Sequence, residues 1–115
     1  MMQDRIFARA VELGGAMDRR KEDLLLNLCE ACSVSLEARL REGMTGEDIG
    51  EPFVTAVGLN ALAALMGLDE ETEEFRAGDL TVKQGSREQR QKDLRWQAEQ
   101  LMMPYLRDNF LFAGV

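Results

Sequence analysis

Pro52-Phe53-Val54-Thr55-Ala56-Val57-Gly58-Leu59-Asn60-Ala61-Leu62-Ala63-Ala64-Leu65-Met66 is the stretch that decides the fold. A helix on a protein surface keeps one face polar, whereas this one is apolar on nearly every side and calls for cover from several directions. Two arrangements provide it. Either the stretch is the central core helix of its own chain, or part of it faces another subunit. Pro52 suits the first turn of such a helix, where a missing N–H costs nothing. Gly67 is expected to close it. Just upstream, Thr45-Gly46-Glu47-Asp48 has the spacing of a capping box, with Asp in place of the usual Glu, and predicts a short helical turn around Ile49.

Helical periodicity continues on both sides. Residues 3–13 place Ile6, Phe7, Ala10 and Val11 on one face, and Gly14-Gly15 breaks the pattern. Asp18 is positioned to cap a second helix over residues 19–41, in which Leu25, Leu28, Cys29, Cys32, Leu36 and Leu40 keep the helical period. Leu24 and Leu26 widen its stripe and predict cover on more than one side. Gly43 is the expected stop. Near the C-terminus, Ser86 with Gln89 three residues on predicts the start of a helix over residues 87–103. Leu94, Ala98, Leu101 and Met102 form its stripe, and Trp96 lies off it. Pro104 ends or kinks it.

One segment breaks the period. After the acidic link of residues 69–74 comes Phe75-Arg76-Ala77-Gly78-Asp79-Leu80-Thr81-Val82-Lys83, where Leu80 and Val82 alternate with polar residues at strand spacing. A short β segment or hairpin is expected over residues 75–84. An isolated pair of strands is marginal in water and its edge invites another chain, so a neighbouring subunit is one candidate partner. The expected fold class is thus all-α: a single small bundle of about four helices with one β element, residues 103–115 forming a C-terminal docking tail.

The chain has 115 residues, which suits one domain around one core. Aromatic residues are only 6%, so Leu, Met, Ala and Val must carry the packing. A net charge of -7 argues against gripping a phosphate backbone, and no basic recognition helix offers a helix-turn-helix reading. No apolar run is expected to reach the roughly 20 residues of a membrane helix, and no leader is visible in Met1-Met2-Gln3-Asp4. A protein kept in the cytoplasm, or assembled there into something larger, is expected.

Chemistry is sparse. There is no histidine, the commonest general base and metal ligand. Cys29-Glu30-Ala31-Cys32 is a CxxC inside a helical run, without the second pair that a zinc site needs and without the strand-to-helix setting of a redox pair. Two small buried helix residues are the better reading. The acidic runs read as solvated faces. Arg87, Arg90, Lys92 and Arg95 form a basic side interleaved with Glu88 and Asp93. No catalytic residue, cofactor or metal is expected.

Three segments in order carry a resemblance. Glu22-Asp23-Leu24-Leu25-Leu26-Asn27-Leu28-Cys29-Glu30-Ala31-Cys32 resembles the second-helix pattern of the head–tail connector proteins of tailed phages, also called adaptor or head-completion proteins. Phe75 to Val82 resembles that family's short G-D-x-[ST]-V segment. Leu101-Met102-Met103-Pro104-Tyr105-Leu106-Arg107 is similar to its L-L-x-P-Y-R ending. The chain departs from the pattern in its fuller first helix, in Leu106 standing between Tyr105 and Arg107, and in the apolar Phe110-Leu111-Phe112 tail.

The resemblance implies a non-catalytic protein of the virion neck, from a phage or a prophage, assembled in the host cytoplasm. It would form a homo-oligomeric ring, often dodecameric, beneath the portal protein. The ring would extend the DNA channel without binding DNA specifically and would dock the next connector or tail protein. Phe75, Leu80 and Val82 are the candidate subunit-interface residues, and Tyr105, Phe110 and Phe112 the candidate docking residues. The alternative is a helical regulatory or adaptor protein that binds a protein partner without forming rings.

Overall fold

The apolar stretch becomes the central helix. The computed structural model describes residues 2–73 and 80–107. In it, α1 spans Met2–Gly14, α2 Arg19–Glu37, α3 Gly46–Ile49, α4 Glu51–Glu73 and α5 Leu80–Met102, followed by a 3-10 turn, Met103–Tyr105. Helices α1, α2 and α5 pack on α4, with α1 also against α2. Phe53, Val54, Ala56, Val57, Leu59, Ala61, Leu62, Ala63 and Leu65 are all buried, so the chain's own helices cover α4. Of the two arrangements left open by the sequence, the core helix is the one realised.

The expectation that no stretch is apolar enough to cross a membrane needs correction. Glu51–Leu68 reaches a mean hydropathy of 1.4 over 18 residues, and by length and composition it qualifies. In the fold, 56% of that stretch is buried against the rest of the protein.

Local signals explain the helix starts. Asp18 caps α2, its side chain accepting from the Lys21 N–H at 2.9 Å. The capping box at α3 is complete. Thr45 Oγ1 accepts from the Asp48 N–H at 3.2 Å, and Asp48 Oδ2 accepts from the Thr45 N–H at 3.1 Å. Gly50 then takes φ +81, a left-handed conformation that lets the chain turn from α3 straight into α4. Ile6 and Ala10 of α1, and Leu25, Cys29 and Leu36 of α2, are buried as their spacing predicts. Leu26 is exposed, so α2 is not covered on several sides at its start.

Several boundaries differ. Helix α2 stops at Glu37, because the Arg39 and Leu40 N–H groups turn back to the carbonyls of Leu36 and Glu37. Leu40 still reaches the core, but from an extended backbone. Gly67 does not close α4, which continues through the supposed acidic link to Glu73. The missing side chain serves packing instead. Gln91 of α5 donates to the Ala63 carbonyl at 2.7 Å, and a Cβ on Gly67 would lie 2.9 Å from the same Nε2 atom.

The expected β segment is also corrected where it is described. Residues 80–84 are the start of α5, which runs through Gly85 and Ser86 without a break, so the expected fourth long helix begins seven residues earlier; with the short turn expected around Ile49, now α3, the described residues hold five α-helices. An alternation that rests on two apolar residues does not decide between periods when a long helix continues downstream. Residues 74–79 lie outside the described residues. Among the described residues, the β pairing is a single antiparallel bridge elsewhere, between Leu40 and Leu106.

Candidate functional site

The ending Leu101 to Arg107 is fastened to the loop after α2. The Arg41 N–H donates to the Tyr105 carbonyl at 2.9 Å, and the Arg107 N–H donates to the Arg39 carbonyl at 3.0 Å. Leu40 and Leu106 lie between these bonds and both are buried. Arg39 adds a second fastening, its guanidinium forking onto both carboxylate oxygens of Glu99 on α5, one at 3.0 Å. A two-pronged arginine–carboxylate contact fixes orientation as well as distance. Ala98 and Met102 of α5 bury beneath it, as their stripe predicts, whereas Leu101 stays exposed.

Of the candidate docking residues, Tyr105 is half-buried in the 3-10 turn and packs against the core. Phe110 and Phe112 lie outside the described residues, as does Phe75. Leu80 and Val82 fall in the first turn of α5. The strand expected there is therefore not formed.

A polar cluster joins α1 to α4. Glu51 accepts from Arg5 at 2.8 Å and from Arg9 at 2.6 Å, and Arg9 also reaches Thr55 Oγ1. Hydrogen bonds from Arg5 and then Arg9 hold the Glu51 carboxyl below the usual carboxylate range. The cluster is largely exposed and two arginines of α1 share the one carboxylate of α4, which makes it a helix-to-helix tie.

The two thiols are free. Burial, with a smaller contribution from neighbouring Cys32, pushes the Cys29 thiol up to about 12. Burial also raises Cys32, against the opposing charge of Arg95. Such thiols stay protonated near neutrality and are poor nucleophiles and ligands. Among the described residues, no group of three or more Cys, Asp or Glu side chains is arranged to hold a metal ion.

What the sequence did not single out is Val34. It is 68% exposed, on the side of α2 away from Leu25 and Leu36. Trp96, 63% exposed, stands out from α5. Its position off the stripe was visible; its exposure follows because α4 is covered by the opposite side of α5. No protein-family model, curated protein or solved structure matches the chain.

Proposed function

We propose that the chain is a structural head–tail connector that assembles as a ring under a phage portal, extends the DNA channel and docks the next neck or tail component. The observation that carries the reading is the fastening of the Leu101 to Arg107 ending. Leu106 is buried and bridged to Leu40, so the chain beyond Arg107 starts from a fixed point on the bundle, as a docking tail requires. The all-helical unit, the protonated thiols and the exposed Val34 and Trp96 support an assembling role over a catalytic one. The net charge of -7 suits a passage through which DNA slides without being held.

Val34 and Trp96 would serve equally in a monomeric adaptor that binds one protein partner, which is the second reading. Light scattering with and without purified portal separates the two. A connector loads onto the portal as a ring, whereas an adaptor stays a monomer or dimer in both conditions.

A further inference from the structure

We draw no further inference here: the strongest candidate, the exposed outer face of α2 that carries Leu26, Ala31 and Val34, is an unpartnered apolar face, and nothing in the structure shows what covers it.

Discussion

Leu40 and Leu106 pair across an antiparallel bridge that ties the loop after α2 to the end of the described chain. The bridge holds a buried leucine on each side and is framed by the Arg41-to-Tyr105 and Arg107-to-Arg39 backbone bonds. Both side chains belong to the same core as Met102 and Phe53. The relationship makes the ending part of the folded unit up to Leu106.

Leu106→Ala should therefore lower stability by about 2–5 kcal/mol, the range for emptying a packed leucine site. Urea denaturation measures it. A loss below about 0.5 kcal/mol, the size of an ordinary surface change, would mean that the bridge is incidental to the fold. Deleting residues 109–115 keeps Leu106 and should leave the urea midpoint unchanged while blocking joining to the portal. A lowered midpoint would place the deleted residues in the core and remove their docking role.

Much of this architecture was legible because its signals are local. Asp18, Thr45 and Asp48 cap helices through side chains that bond backbone groups three residues away, and such spacing is written directly in the sequence. Composition showed that Phe53 to Leu65 needs cover from several sides, but left open whether the chain's own helices or another subunit provides it. The misreadings share a cause. Gly67 looks like a stop until Gln91, far along the chain, is placed over it. Leu40 looks like the next turn of α2 until Leu106 arrives to pair with it. Leu80 and Val82 mimic strand alternation because two apolar residues two positions apart are too few to define a period. As to the candidate site, Trp96 was visible as an off-stripe residue, whereas Val34 needed the burial of the opposite face of α2 to stand out.

Two glycines on the same core should respond in opposite ways to alanine. A Cβ on Gly46 would lie 2.5 Å from Cε2 of the buried Phe53 ring, so Gly46→Ala should cost about 1–3 kcal/mol. A Cβ on Gly58 would meet the Ala10 backbone at 3.5 Å, an ordinary contact inside a helix. Gly58→Ala should be neutral or stabilise by up to about 1 kcal/mol through helix propensity. Thermal denaturation of both variants checks the pair, and the reverse order would contradict the packing described.

Glu51 should shape the acid limb of stability. Its carboxyl is held low in the folded state by Arg5 and Arg9, so the unfolded chain binds a proton first as pH falls. The contribution is present above the ordinary carboxylate pKa and is lost as pH drops through the lower folded value. Stability measured across that window should fall less steeply in Glu51→Gln. High salt should shrink the difference between the two proteins, since the cluster is exposed. Identical slopes would remove the tie.

Cys29 works in the opposite direction. Its thiol is raised from 9.0 to about 12 on folding, so its contribution is complete below pH 9 and is lost as pH climbs towards 12. Cys29→Ala should flatten the decline of stability in that range relative to wild type. Alkylation in the native state near neutral pH should also be slow at Cys29, which is fully buried, compared with the half-buried Cys32. Equal modification rates would contradict the placement of Cys29.

Assembly on a portal tests the central claim most directly. Purified protein is mixed with isolated portal rings, and negative-stain class averages are compared with those of portal alone. The account predicts an added ring of density coaxial with the portal, carrying its own rotational symmetry. Portal averages unchanged by an excess of folded wild-type protein would contradict it.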